Sequence, residues 1–240
     1  MQLDEKWSFV GKKEKHCDPD DEADWFRGDQ WDHVAFDPDS RLVLEVVVGK
    51  RLGTTAEMLL EGLKRRLGGR APELVTSDGD AAYEGALLGI FGEEKTPERT
   101  GKPGRPAGPR VEPPEGTCYG RVVKHKKKGR LERVEAEVVF GTPPEGQATS
   151  TSYLERHNAT DRQRNARKGR KTYRFSKDWE THEAMTTFTM YSYNFCWAVR
   201  TLRVKGAAGQ WRQRTPAMAA GLADHVWPLE EWLTLPAAQR

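Results

Sequence analysis

Three acids stand at places where carboxylates can do chemistry. Asp4 lies in "LDEKWSFVGKK", where Leu3, Glu5, Trp7 and Phe9 alternate with Asp4, Lys6, Ser8 and Val10 as in a strand. Asp78 ends the buried-strand pattern of "ELVTSDG", and ligand sites of open α/β sheets fall at such strand ends. Glu155 heads "YLERHNATDRQRNARKGRKTYRFSKDWETH", close to a helix start. If the two strands are neighbours, Asp4 and Asp78 approach each other, and a helix crossing them brings Glu155 alongside. Hard divalent cations prefer such oxygens and keep waters, leaving room for a phosphate. Two ions ~3.5–4 Å apart activate a nucleophile and stabilise a leaving oxygen in phosphoryl transfer. Each acid also has a plainer use. Glu155 suits a helix N-terminus by ~0.3–1 kcal/mol, Asp78 before glycine suits a turn, and Asp4 beside Glu5 suits an exposed strand charge.

The elements that would position these acids follow from periodicity. "WDHVAFDPDSRLVLEVVVGKR" reads as a hairpin turning at Asp37–Ser40, with Leu42–Val48 as its second strand. Thr54 or Thr55 can cap a helix on which Ala56, Leu59, Leu60, Leu63 and Leu67 recur. A short strand, the Asp78-Gly79 turn and another helix come next. Residues 95–116 are rich in Pro and Gly and read as a linker. Residues 117–141 read as a two-stranded ribbon turning at "KKKG". From Thr181 a long helix is predicted, with Met185, Phe188, Ser192, Phe195, Cys196 and Val199 on one face. Thr215 and Pro216 suit the N-cap and first position of a last helix. A three-strand meander followed by alternating strands and helices predicts an α/β mixed sheet with flanking helices.

The segment after Glu155 carries a second kind of chemistry. Arg156, Arg162, Arg164, Arg167, Lys168, Arg170, Lys171 and Arg174 are eight basic residues against two acids, Glu155 and Asp161. That imbalance exceeds what paired surface charges need and favours a polyanion, with salt-dependent binding to phosphates. "KHKKKGR" at 124–130 is a second basic site, suited to capping the ribbon turn or gripping backbone. Asn158 lies one turn from Glu155 and can orient a phosphate or bond that glutamate; a solvated helix position is an equal reading. Trp7, Trp25, Trp31 and Trp179 read as core residues. His157 lies on another helix face from Glu155, and His33 and His182 lack ligand-spaced partners. Ser8, Cys118 and Cys196 have no base at motif spacing, which disfavours a nucleophilic side chain.

Bulk properties narrow the class without naming it. The chain has 240 residues, 36% hydrophobic and 31% charged, with a net charge of only +3. Local charge placement therefore matters more than the total. Cys17, Cys118 and Cys196 form no CxxC pair, so neither a zinc knuckle nor a disulfide framework is readable. No stretch reaches the ~18 apolar residues of a membrane span, and the N-terminus has no signal-peptide pattern. A cytoplasmic protein with reduced thiols is the expectation.

"LDEKWSFVGKK", "DHVAFDPDSRLVLEVVVGKR", "TSDGDAAY" and "LERHNATDRQRNARKGRKTYRFSKDWETHE", in that order from Leu3 to about Arg203, closely resemble the catalytic domain of IS1-family insertion-sequence transposases. Those enzymes carry a DDE triad on an RNase H-like fold. Residues 1–205 would then be the RNase H-like domain, its mixed sheet enlarged by a linker and β-ribbon insertion over 93–150. Residues 206–240 would be a C-terminal helical extension. The resemblance implies that Asp4, Asp78 and Glu155 are the catalytic residues and the ligands of Mg²⁺ (or Mn²⁺). It also implies that the basic residues hold insertion-sequence ends and target DNA. Bacterial, nucleoid-associated DNA strand cleavage and transfer by a homo-oligomer would be the activity. Relatives carry an N-terminal DNA-binding region, whereas this chain starts three residues before Asp4. A separately encoded DNA-binding protein or an upstream reading frame would supply that region. A generic metal-dependent nuclease, or a non-enzymatic DNA-binding remnant or regulator, are the alternatives.

Overall fold

The computed structural model describes residues 1–97, 108–206 and 209–234. Strand β1 (Gln2–Val10) pairs antiparallel with β2 (Gly28–Phe36), which pairs antiparallel with β3 (Val43–Gly49). The Asp37–Ser40 turn joins β2 to β3. Asp37 accepts the amides of Asp39 and Ser40, which fixes that turn. Helix α1 (Gly53–Arg66) follows, then β4 (Leu74–Asp78), α2 (Ala82–Phe91), β5 (Glu93–Lys95), β6 (Arg110–Glu112), β7 (Cys118–Lys127) and β8 (Arg130–Phe140). The C-terminal third holds α3 (Ser152–Arg164), α4 (Trp179–Cys196), β9 (Val204–Lys205), β10 (Trp211–Arg212), α5 (Pro216–Ala219) and α6 (Leu229–Thr234). The main sheet has six strands in the order β3-β2-β1-β4-β7-β8. Its β1–β4 and β4–β7 contacts are parallel, so the sheet is mixed, as expected.

Each face of the sheet has its own core. Leu3, Val75 and Tyr119 pack under α1 and α2 with Leu59, Leu60, Leu63, Tyr83 and Leu87. Val34, Phe36 and Val43 pack under α3 and α4 with Leu154, Met190 and Tyr193. Gly62 lets α1 lie close to β3, since a Cβ there would fall 2.6 Å from a Glu45 carboxylate oxygen.

Several local expectations are corrected. The ribbon over 117–141 is not an insertion, because β7 pairs with β4 residue by residue from Leu74↔Cys118 to Asp78↔Val122. Of the presumed linker, the two flanks pair as β5 and β6, and residues 98–107 lie outside the described residues. Neither Thr54 nor Thr55 caps α1; Leu52 occupies the cap, and Thr55 Oγ1 donates to the Lys50 carbonyl at 2.8 Å. The buried residues of α4 are His182, Thr186, Met190, Ser192, Tyr193 and Asn194, so of the predicted face only Ser192 is buried. Phe188 and Phe195, assigned to that face, instead meet Trp232 and Trp227 of the C-terminal segment. Thr215 caps a helix start as read, with Pro216 after it, but that helix, α5, has only four residues, and α6 rather than α5 is the last helix among the described residues. The extension is therefore short turns and helices laid on α4, with 207–208 and 235–240 outside the described residues. None of Trp7, Trp25, Trp31 and Trp179 is a core residue, and Trp25 is 60% exposed.

Candidate metal and nucleic-acid site

Strand register places the acids. Leu3 pairs with Ser77 across the parallel β1–β4 contact, so Asp4 and Asp78 follow side by side where β4 ends. Side chains alternate along β1. Gln2, Asp4, Lys6, Ser8 and Val10 face α3 and α4, while Leu3, Glu5, Trp7 and Phe9 face the other way. Past the end of β4, Glu5 reaches the same space from the opposite face. Asp4, Glu5 and Asp78 each offer an oxygen within 4.8 Å of the other two. They line an open cleft of about 910 Å³ together with Arg51, Lys124, Glu155, Asn158 and Arg162.

Helix α3 crosses β1, and its residues meet the strand in ordered pairs. The Leu154 amide donates to Gln2 Oε1 at 2.8 Å, and Asn158 Nδ2 donates to Asp4 Oδ2 at 2.8 Å. Lys6 Nζ donates to Asp161 Oδ2 further along. Asn158 thus bonds Asp4, not Glu155. It is 4% exposed, and its Oδ1 has no hydrogen-bond partner among the described residues. Glu155 lines the cleft but is turned aside. Its Oε1 accepts from Lys124 Nζ on β7 and from Thr151 Oγ1 at 2.7 Å. Burial raises the Glu155 pKa, yet these two donors outweigh burial and hold it below its ordinary value. The expected three-acid set is therefore partly assembled. Asp4 and Asp78 meet directly, with Glu5 as an unforeseen third.

The electrostatics follow from crowding. Burial, then the charges of Asp78 and Glu155, push Asp4 up to about 6. Burial, then Asp78, push Glu5 up to about 7, and Arg51 at 3.3 Å offsets only part of that. Burial also raises Asp78. A carboxyl with a raised folded-state pKa binds its proton more tightly when folded. Its contribution to stability is complete below the unfolded value and is lost as pH rises through the folded one. For Asp4 that window runs from 3.8 to about 6. Asp4→Asn is therefore expected to stabilise the metal-free protein at pH 8 by roughly 2–3 kcal/mol, with the gain gone below about pH 4. Thermal melts in EDTA across this range measure it; an equal effect at pH 4 and pH 8 would contradict it.

Beneath the cleft lies a buried charge cluster. Lys6, fully buried, contacts both Asp161 and Asp32, the latter at 3.1 Å. Lys168, also buried, contacts Asp32 and Thr186. Two cations and two carboxylates thus join β1, β2, α3, the turn after α3 and α4. Next to them His182 bonds Ser176 Oγ at 2.8 Å through Nδ1 and Ser8 Oγ at 3.2 Å through Nε2. Burial lowers His182 to about 4, so the ring is a neutral structural link.

The basic segment divides on inspection. Lys168 leaves the phosphate-binding set, because its ammonium is 0% exposed and already paired. Arg164 is committed too: its guanidinium sits 3.6 Å from the Trp197 ring centroid and 5.5 Å from that of Tyr193. Arg162 lines the cleft. Arg156, Arg170, Lys171 and Arg174 are exposed, and Arg167 is half-buried. His157 is buried against Phe36 and Tyr193, where burial lowers it to about 4. All three cysteines are free.

Four of these residues were missed in the sequence. Glu5 reads as a strand charge, and nothing in its spacing marks it as a cleft residue. Lys124 reads as part of the ribbon turn, although parallel pairing of β7 with β4 aims it at Glu155. The Lys6–Asp32 contact had a usable signal. Trp7 pairs with Trp31 across β1 and β2, and that register sets Lys6 opposite Asp32.

Fold and site together define a mixed α/β protein with an acidic cleft at the ends of its central parallel strands, flanked by a helix and a basic segment. No protein-family profile matches the chain, and no curated protein matches it. Among the described residues no helix is long and apolar enough to cross a membrane.

Proposed function

We infer that this chain is a metal-dependent phosphoryl-transfer enzyme acting on DNA, the catalytic domain of a DDE transposase of the IS1 kind on an RNase H-like sheet. The observation that carries the reading is the meeting of Asp78, at the end of β4, with Asp4 on the neighbouring strand β1, with Glu5 within 4.8 Å and Glu155 and Asn158 on the crossing helix. The three-strand meander and the two parallel strands beside it suit that fold.

The donor set fits a hard divalent cation such as Mg²⁺. The cleft offers carboxylate oxygens with no histidine or cysteine, and Asn158 adds a buried, unpaired carbonyl oxygen. Asp4, Asp78 and Glu155 would hold the metal, and Glu5 is placed to join them. Metal bound there would activate a water or a 3′-hydroxyl and stabilise the leaving oxygen. The protein supplies the rest of the work. Asn158 orients Asp4 by its 2.8 Å bond, and Lys124 compensates Glu155. Arg162 and Lys126, in the wall, can meet phosphate oxygens. No covalent enzyme intermediate is required.

Outside the cleft, the exposed cations after α3 would follow the duplex backbone. Replacing Arg170, Lys171 and Arg174 by Ala is expected to weaken DNA binding similarly across sequences. The slope of log K against log salt should fall by about 0.9 for each lost phosphate contact. Filter binding or anisotropy over a salt series tests it, and an unchanged slope would remove these residues from the interface.

The decisive experiment for the class is strand transfer with a pre-nicked 3′-hydroxyl end. Joined product supports a transposase. Hydrolysis alone identifies a nuclease built on the same acids, and absence of both in Mg²⁺ or Mn²⁺ leaves a DNA-binding regulator.

A further inference from the structure

Strand β1 turns its polar residues inward and its aromatics outward, the reverse of a strand serving only the core. Lys6 and Ser8 are buried, while Trp7 and Phe9 on the opposite face remain half-exposed. Helices α1 and α2 cover that face over Leu3 and Ala35 but not over Trp7 and Phe9. Trp7 pairs across the strands with Trp31, itself half-exposed. The open edge of β1 is met at Val10 by Ser176, which sets Phe175 against Phe9 with centroids 4.7 Å apart. Trp7 and Phe9 are 5.8 Å apart by the same measure. The result is a continuous stripe of Trp31, Trp7, Phe9 and Phe175, starting beside Glu5 and leading away from the cleft.

A cation lies over three of the four rings. The Arg51 guanidinium, part of the cleft wall, lies 4.9 Å from the Trp31 centroid. Lys13 Nζ lies 5.9 Å from that of Trp7, and Lys177 lies over Phe175. Lys13 and Lys177 are exposed. Aromatic faces interleaved with cations at successive positions are the arrangement that binds single strands, bases stacking on rings while the cations meet phosphates. In a duplex the same base faces are hidden. The tilted rings, 5.8 Å from Trp7 to Phe9 and 4.7 Å from Phe9 to Phe175, form a stepped apolar surface for base faces.

The geometry points to a stacking track for an unpaired DNA strand, running from Phe175 along Phe9, Trp7 and Trp31 into the acidic cleft. The enzyme would thus take its substrate frayed or single-stranded at the reacting end. The choice of DNA as the occupant and of the cleft as its reacting centre rests on the function proposed above.

The test uses the full chain in EDTA, which separates strand binding from metal chemistry. A fluorescently labelled 20-nucleotide thymidine oligomer and a blunt duplex of equal length are titrated by anisotropy. Trp7→Ala is expected to weaken the single strand by roughly tenfold and to leave the duplex unchanged. Trp7→Phe, keeping a stacking face, should restore most of the affinity. Lys13→Ala with Lys177→Ala, both at exposed positions, should lower the salt dependence for the single strand. Equal weakening of both DNAs by Trp7→Ala, or no weakening, would overturn the track. So would a change in sedimentation with unaltered DNA binding, which would identify the stripe as a contact between copies. Metal-dependent cleavage of a duplex that persists in Trp7→Ala would leave the functional reading standing while the track fell.

Discussion

Asp4→Asn and Asp78→Asn are each expected to lower metal-dependent DNA cleavage and strand transfer at least ~10³-fold, about 4 kcal/mol of barrier. DNA affinity in EDTA should stay near wild type. The two acids share one small space with Glu5, so in the proposed metal site either change would remove one of the carboxylates meant to hold the cation. Glu155→Gln is expected to match them, but by a different route. Glu155 starts in a bond to Lys124, so its contribution requires that bond to open. Restored activity in a Glu155→Gln, Lys124→Ala pair would show that Lys124 alone had set the loss. Glu5→Gln separates the roles further. A loss as deep as that of Asp4→Asn makes Glu5 a ligand, and a loss of a few-fold makes it a charge neighbour. Retained cleavage in Asp4→Asn or Asp78→Asn would end the metal-site reading. Because Asp4→Asn should also stabilise the protein at pH 8, loss of activity cannot be mistaken for loss of folding.

Lys6→Met is expected to cost roughly 3–5 kcal/mol in urea or guanidinium unfolding, the largest stability effect foreseen for one side chain. The change leaves Asp161 buried at 3% exposure without its cation and takes one of two cations from Asp32. Asp161→Leu alone should be comparably harmful, since it leaves Lys6 sharing Asp32 with Lys168. Combining the two restores charge balance around the Lys168–Asp32 pair. The double variant should therefore be more stable than either single one, a coupling of several kcal/mol in the opposite sense to additivity. Purely additive losses would mean the cluster is packing rather than charge. Asn158 stands one turn before Asp161 on α3, so Lys6→Met should also weaken metal binding through Asp4.

How much of this was legible differs by scale. The meander, the helix with its Leu59–Leu60–Leu63 stripe, the Asp78 strand end and the Glu155 helix all carry their own periodicity. These are local properties, set by side-chain alternation and turn chemistry within a few residues. The end of β4 at Asp78 fell where the turn residue placed it, while α1 and α3 each begin two to three residues before the position their caps or charges suggested. The α4 face was misjudged because its buried side is polar, with His182, Thr186 and Asn194 satisfied by partners distant in sequence. Hydrophobic periodicity has no view of such a face. The tryptophans failed the other way: large apolar residues read as core, yet Trp7 and Trp31 lie along a sheet face that no helix covers, Trp25 lies in an exposed loop and Trp179 starts α4.

By itself the sequence determined that this is a mixed α/β chain, that Asp4 lies on a strand, Asp78 at a strand end and Glu155 near a helix start, and that an unbalanced run of cations follows the last. Residue type and short-range spacing suffice for each of these. Only the tertiary structure decided which charges are free to act. Lys168 and Arg164 belong to the same basic run as Arg170 and Lys171, but packing commits the first two to Asp32 and to Trp197. Strand order likewise decided that Glu5 joins Asp4 and Asp78, and that Lys124 of β7 faces Glu155. The physical reason is one and the same. A charge is used by whichever partner three-dimensional proximity and burial bring to it, and neither is encoded in distance along the chain.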